Sequence, residues 1–184
     1  PGDGGDPALM SGIRRDLESV DRLIGQALEV NLELDQQKRE LVTIEEIIDP
    51  IVESARRGDN TIEWSGSKSC SFTLNSLALQ RIITNLLENA LRYGDGKPVT
   101  MECSCDIQNL TLQILDRGPG IPPDQREAVF QPFVRLEKSR NSKTGGSGLG
   151  LAIVRQLANT NGWVVKILGR EGGGTCAQLV IPIQ

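Results

Sequence analysis

The sequence predicts an α/β (α+β) two-layer sandwich: a mixed β-sheet with helices on one face, preceded by a long coiled-coil-type helix. Three observations predict it. Short runs of alternating apolar and polar residues occur in pairs, as half-buried strands do. Each pair follows a segment whose apolar residues recur every three or four positions, as in an amphipathic helix. The first forty residues carry a separate heptad seam. The order is therefore a long helix, then αββ, αββ, a long polar loop and αββ, which closes as helices on one side of a sheet.

Residues 1–7 contain only Gly, Asp and Pro and read as a disordered lead or a cut edge. Over residues 8–40, Met10, Ile13, Leu17, Val20, Ile24, Ala27, Asn31 and Leu34 alternate in three- and four-residue steps. Charged residues and glutamines flank this seam. A lone helix with an apolar seam needs a partner helix, so residues 8–36 predict a homodimer. The alternative is a helix packed back on its own domain. A separate domain is then expected over residues 41–184.

Within that unit, residues 40–43 predict a short edge strand and residues 44–57 a helix, with Pro50 near its first turn or at a kink. Residues 61–64 and 70–74 predict strands joined by a Ser/Gly turn. Residues 75–93 predict a strong helix capped by Asn75 or Ser76 and stopped at Gly94. Residues 99–105 and 110–115 predict a hairpin. Residues 118–146 are polar and rich in glycine and proline. A loop of that length is usually functional, so it is read as a lid, with a short helix at 123–130. A helix over 147–161, stopped by Gly162, and a hairpin of residues 163–168 and 175–183 complete the order.

Composition narrows the function. The formal charge is -4 over 184 residues, which leaves no basic footprint for nucleic acid. No apolar run reaches transmembrane length. The four cysteines, Cys70, Cys103, Cys105 and Cys176, form no Cys-x-x-Cys pair, and the chain has no histidine. A zinc site is not expected; reduced thiols in a reducing compartment are.

Four pieces predict a nucleotide pocket. Asn85 and Asn89 lie one turn apart on the strong helix and share a face with Arg92. Their amide oxygens suit Mg²⁺ that keeps waters and bridges phosphates, and Glu88 stands beside them, where it could polarise a metal-bound water. Asp116 ends a strand at a glycine turn. A carboxylate there can accept from the exocyclic amine of adenine, whereas guanine would leave it unpaired at a cost of about 1–3 kcal/mol. Gly118 and Gly120 let backbone approach a flat ring. Phe130 and Phe133 are expected to tether the lid by burying two rings. The run Gly145-Gly146-Ser147-Gly148-Leu149-Gly150 opens a helix, where freed N–H groups attract phosphate. Lys138, Arg140 and Lys143 precede it and could follow the phosphates. Tyr93 is either a pocket wall or core.

In this order and spacing the four pieces resemble the catalytic, ATP-binding domain of sensor histidine kinases, within the Bergerat-fold ATPases. Asn85-Leu-Leu-Glu-Asn89-Ala-Leu-Arg-Tyr93 matches the N box. Asp116-Arg-Gly118-Pro-Gly120-Ile121 matches the G1 box, Phe130-Gln-Pro-Phe133 the F box and Gly146-Ser147-Gly148-Leu149-Gly150 the G2 box. Phe130 to Arg135 and Tyr93-Gly94 look most similar to osmosensor kinases of the EnvZ type. The resemblance implies ATP and Mg²⁺ as ligands. Asn89 would hold the metal with Asn85 nearby and Glu88 would join it in catalysis. Asp116 would bind adenine and Ser147 to Leu149 the phosphates. Arg92, Tyr93, Gly118, Gly120, Ile121, Phe133, Lys138, Arg140, Gly146 and Gly150 would line the site.

The same resemblance implies transfer of the γ-phosphate to a histidine on a separate helix, then to a response regulator. The seam of residues 8–40 resembles the second helix of the family's dimerisation hairpin. The first, histidine-bearing helix is missing. The chain is thus expected to be part of a larger sensor and unable to phosphorylate itself on histidine. It would be a cytoplasmic domain of a parent in a bacterial inner membrane. A serine kinase or another ATPase of the same fold, or a non-catalytic scaffold, are the rival readings.

Overall fold

The computed structural model describes residues 39–58, 60–66, 70–136 and 148–183. The predicted coiled-coil helix and its dimer seam lie outside these residues, as do Lys138, Arg140, Lys143, Gly146 and Ser147.

The chain enters as strand β1 (Glu40–Thr43) and helix α1 (Ile44–Arg56). The Thr43 backbone N–H donates to Glu46 Oε2 at 3.0 Å, so a first-turn carboxylate satisfies a donor at the helix start. Helix α1 continues through Pro50, which sits on its exposed side. Ile44, Ile48 and Val52 are buried, and Trp64 Nε1 donates to Asp49 Oδ1 at 3.1 Å. These contacts dock α1 on β2 (Ile62–Gly66).

Strand β3 (Ser71–Leu74) leads into helix α2 (Ser76–Tyr93). Asn75 Oδ1 accepts from Ala78 N–H at 2.9 Å, and the Gly94 N–H returns to the Ala90 carbonyl at 2.8 Å. Both predicted ends of this helix are therefore the observed ones. Its buried stripe, Leu79, Ile82, Ile83, Leu86, Leu87 and Ala90, follows the helical period and faces the core.

β4 (Val99–Cys105) and β5 (Asn109–Leu115) form the expected antiparallel hairpin. After the loop come α3 (Gly150–Asn161), β6 (Val164–Gly169) and β7 (Thr175–Pro182). Five strands make one mixed sheet in the order β2-β4-β5-β7-β6, and only the β2–β4 contact is parallel. Its inner face carries Val99, Met101, Leu110, Leu112, Ile114, Leu179 and Ile181, all buried under the helices. Its outer face carries Glu63, Glu102 and Ser104, all exposed. One dry face and one wet face define the two-layer sandwich. Among the described residues, no helix is long and apolar enough to cross a membrane.

Three details correct the sequence reading. The two strands expected to flank a Ser/Gly turn do not pair with each other: β2 runs parallel to β4, and β3 pairs with β1 in a separate ribbon. The expected helix at 123–130 is two 3₁₀ turns, Pro123–Gln125 and Ala128–Phe130. The last helix begins at Gly150, because Gly148 at φ 75° is left-handed and cannot belong to it.

Candidate functional site

The predicted residues converge where the C-terminal half of α2, the turn after β5 and the start of α3 meet. Burying Leu86, Leu87 and Ala90 turns Asn85 and Asn89 toward the rim, where both are half-buried, while Glu88 and Arg92 are exposed. Asn85 Nδ2 donates to the Arg81 carbonyl at 2.8 Å. That fixes the amide and leaves Oδ1 turned toward α3. A Cβ on Gly150 would lie 3.1 Å from Asn85 Oδ1 and 3.6 Å from Asn89 Nδ2. The first residue of α3 thus abuts both amides, and glycine leaves that gap open. Tyr93 is half-buried at the end of α2.

Asp116 is 6% exposed. Its Oδ1 accepts two backbone N–H groups, from Gly118 at 2.8 Å and from Thr175 at 3.1 Å. Its own N–H donates to the Thr175 carbonyl at 2.9 Å. Among the described residues no protein donor reaches Oδ2. A buried carboxylate with one oxygen tied down and one to spare is an oriented acceptor.

The glycines fit this turn closely. A Cβ on Gly118 would overlap the Tyr93 carbonyl, and one on Gly174 would overlap the Asp116 carbonyl. Gly120 adopts φ 75° and passes the Gly174 carbonyl. Ile121, half-buried, follows it and accepts from Arg126 Nε at 3.1 Å. Local pattern gives Gly174 only as part of a hairpin's glycine run and Thr175 only as the start of its second strand. The glycine run before Thr175 was the available signal, but its contact with Asp116 spans 59 positions.

Beyond the turn, Phe130 is buried and Arg155 of α3 stacks on it, with Cζ 3.9 Å from the ring centroid. Arg155 Nη2 also meets Glu127 Oε2 at 2.8 Å. Phe133 departs from expectation: it is 41% exposed at φ 63°. Here the backbone, not the ring, makes the tether. The Phe133 N–H donates to the Gly148 carbonyl at 3.0 Å, tying the two edges of the undescribed segment 137–147 together. Leu149 and Gly150, half-buried, continue from there into α3.

All four cysteines are free thiols. Burial, then the Glu102 and Asp116 carboxylates, hold Cys176 above the ordinary thiol range. Among the described residues no group of three or more His, Cys, Asp or Glu could hold a metal. Asn85 and Asn89 offer amide groups beside one another at this rim. That donor set fits Mg²⁺, which dehydrates reluctantly.

Comparison with known proteins gives a consistent result. Residues 74–184 match the family model for the histidine kinase-, DNA gyrase B-, and HSP90-like ATPases. The chain is 46% identical over 103 residues to sensor protein RstB of Escherichia coli (strain K12), covering 55% of this chain and 23% of RstB. It resembles the solved structure of a mycobacterial sensor histidine kinase, MprB, at 32% identity and a TM-score of 0.69, covering 80% of this chain and 99% of that one. It also resembles full-length ShkA in complex with AMPPNP, at 25% identity and a TM-score of 0.69, covering 97% of this chain and 39% of that one. The chain spans between 17% and 38% of the length of the curated relatives it matches.

Proposed function

The chain belongs to the histidine kinase-, DNA gyrase B-, and HSP90-like ATPase family, as the ATP-binding catalytic domain of a two-component sensor kinase, and from this premise we propose how its residues bind ATP and direct the phosphoryl group. The observation that carries the reading is Asp116: a buried carboxylate, held through Oδ1 by Gly118 and Thr175, with Oδ2 left for a ligand donor. The adenine amine is that donor. Tyr93, Gly118, Gly120 and Ile121 surround the base, with Phe133 at the outer edge.

The triphosphate extends from this turn toward α3. Backbone N–H groups from Ser147 to Gly150 receive it, at a glycine-rich helix start. Lys138 and Arg140 bring positive charge to the phosphates, Gly146 belongs to the glycine run that meets them, and Arg92 adds charge from α2. Asn89, with Asn85, would hold Mg²⁺ through amide oxygens. When bound, the ion neutralises phosphate charge. Glu88, exposed beside Asn89, orients the attacking group.

The chain has no histidine, so the accepting imidazole belongs outside these 184 residues. Its nitrogen forms a bond to the γ-phosphorus as the bond to the β–γ bridging oxygen breaks and ADP leaves. Catalysis is then mainly positioning and charge neutralisation. The phosphoryl group passes on to a response regulator. Residues 8–36 pair with a second copy, and the parent protein sits in a bacterial membrane with this domain on its cytoplasmic side. Nucleic acid is not a ligand.

The test is a calorimetric titration of ATP and GTP, with and without Mg²⁺, into the chain and its Asp116→Asn variant. Adenine-selective, Mg²⁺-aided binding that the variant loses is the expected result. Equal binding of both nucleotides, or no loss in the variant, overturns the assignment. A second experiment incubates the chain with labelled ATP and a histidine-bearing helix pair from a related kinase. Acid-labile label is expected on the added helices only; label on this chain overturns the transfer scheme.

A further inference from the structure

Arg117 stands between Asp116 and Gly118 in the candidate adenine turn, yet its side chain is engaged elsewhere. The alternation of β5 continues past the end of the strand: Ile114 and Asp116 are buried, whereas Leu115 and Arg117 are half-buried. The Arg117 side chain leaves toward the outer face of the sheet. There Nη1 donates to the Pro98 carbonyl at 2.6 Å, and Nη2 donates to Glu63 Oε2 at 3.2 Å. Glu63 Oε2 also accepts from Thr100 Oγ1 at 2.9 Å. Glu63 of β2 and Thr100 of β4 are partners in the parallel register. From above, Lys97 Nζ donates to the Arg117 carbonyl at 3.2 Å.

Strand β5 lies between β4 and β7. The bonds of Asp116 to Thr175 anchor the turn toward β7. The bonds of Arg117 anchor it toward β4 and β2, on the opposite flank. A guanidinium suits this task, because its planar fork lets one side chain span a carbonyl and a carboxylate together. The Arg117 and Glu63 side chains are 30% and 54% exposed, so the ion pair contributes little to global stability. Its effect is on where the turn sits. The Thr100 hydrogen bond, then Arg117, hold the Glu63 pKa below the ordinary 4.5, which keeps the carboxylate charged at neutral pH.

We propose that Arg117 is a positioning residue for nucleotide binding: from the outer face of the sheet it fixes the turn that presents Asp116 to adenine, without touching the nucleotide itself. Given the adenine reading of Asp116, on which this role rests, the brace keeps the turn preformed. Without it, one or two residues must be ordered at each binding event, which weakens affinity about 5–30-fold. Because the brace acts at the base end, ATP, ADP and adenosine lose affinity by the same factor. A positive charge that merely attracted phosphate would lower ATP affinity most and leave adenosine unchanged. Glu63 acts through Arg117, and the Pro98 contact survives its removal, so its loss weakens binding less.

The experiment titrates ATP, ADP and adenosine into the full chain and its Arg117→Ala, Glu63→Ala and double variants. Calorimetry reads the two nucleotides and NMR shift titration the weaker adenosine, at a temperature where thermal unfolding shows each variant folded. Arg117→Ala should weaken all three ligands equally, by about 5–30-fold. Glu63→Ala should weaken them by a smaller factor, and the double variant no more than Arg117→Ala. Arg117→Lys keeps the charge without the fork and should fall nearer to alanine than to arginine. Unchanged affinity in folded Arg117→Ala, or a loss confined to ATP and ADP, overturns the proposal. Glu63→Ala repeats the test from β2 even if Arg117→Ala does not fold, and unchanged affinity there also overturns it. An unmutated chain that binds none of the three ligands would instead overturn the adenine reading of Asp116, and this role with it.

Discussion

Gly118 lies directly against the main-chain carbonyl of Tyr93, so close that a Cβ on Gly118 would overlap that oxygen. The C-terminus of α2 and the Asp116 turn can approach this far only without a side chain between them. The obstructing atom is backbone and cannot swing aside. Gly118→Ala must therefore push the two elements apart. It should cost more than about 2 kcal/mol in urea unfolding and weaken ATP binding as well. Gly172→Ala is the control: Gly172 adopts φ 81° with nothing within 4 Å of its Cβ position. It should cost about 1 kcal/mol of left-handed strain and leave ATP affinity unchanged.

Asp116 combines two tasks that substitutions can separate. Oδ1 holds the Gly118 and Thr175 N–H groups, and an asparagine oxygen can still accept both. Its amide NH₂ would then face the ligand in place of Oδ2. Asp116→Asn should keep its stability within about 1 kcal/mol and lose ATP affinity about 10–100-fold. Asp116→Ala strands two backbone donors, at about 1–3 kcal/mol each. It should lose stability and affinity together. Thermal unfolding beside calorimetry separates the two variants.

The contrast between Asp116 and Thr175 shows what was legible in the sequence. Asn75, Gly94 and the apolar stripe of α2 act within a few positions of one another, so periodicity and cap chemistry placed that helix to the residue. Asn85 and Asn89 were likewise readable, because one helical turn joins them. Thr175 reaches Asp116 across the sheet through the β5–β7 pairing, and no local pattern announces that neighbour. The partners of β2 and β3 were hidden for the same reason. Both strands are short, a serine-rich link joins them, and each is satisfied by a strand elsewhere in the chain. Phe133 was misjudged because aromatic character argued for burial. Its left-handed backbone and bond to Gly148 leave the ring at the surface instead.

Glu63 predicts an acid dependence. Its carboxylate accepts from Thr100 Oγ1 at 2.9 Å and from Arg117 Nη2 at 3.2 Å. The Thr100 hydrogen bond first, then Arg117, hold its pKa below the ordinary 4.5. A carboxyl group whose folded pKa is lowered contributes stability above its unfolded pKa, and loses that contribution as pH falls through the folded value. Glu63→Gln should therefore have a lower Tm than the unmutated chain at pH 7. The gap should close as pH is lowered below 4.5. A Tm gap that stays constant from pH 8 to pH 3 would show that the charge of Glu63 contributes nothing.

Arg155 supports the segment before the undescribed stretch, and its two contacts differ in strength. The pair with Glu127 is solvated: the side chains are 31% and 81% exposed, and such pairs contribute at most about 1 kcal/mol. The stack on Phe130 covers a buried ring, where a part-shielded guanidinium contributes about 1–2 kcal/mol. Arg155 Nε is buried without a hydrogen-bond partner, so the side chain's position is set by the ring rather than by its polar contacts. Arg155→Ala should then destabilise by about 1–2 kcal/mol, while Glu127→Gln costs less than about 0.5 kcal/mol. Arg155→Lys keeps the charge but loses the flat stack, and should fall nearer to alanine than to arginine. Limited proteolysis near Phe133 should accelerate in the same order, because Phe130 anchors that backbone. If Glu127→Gln proves as damaging as Arg155→Ala in both measurements, the ion pair and not the ring holds the segment.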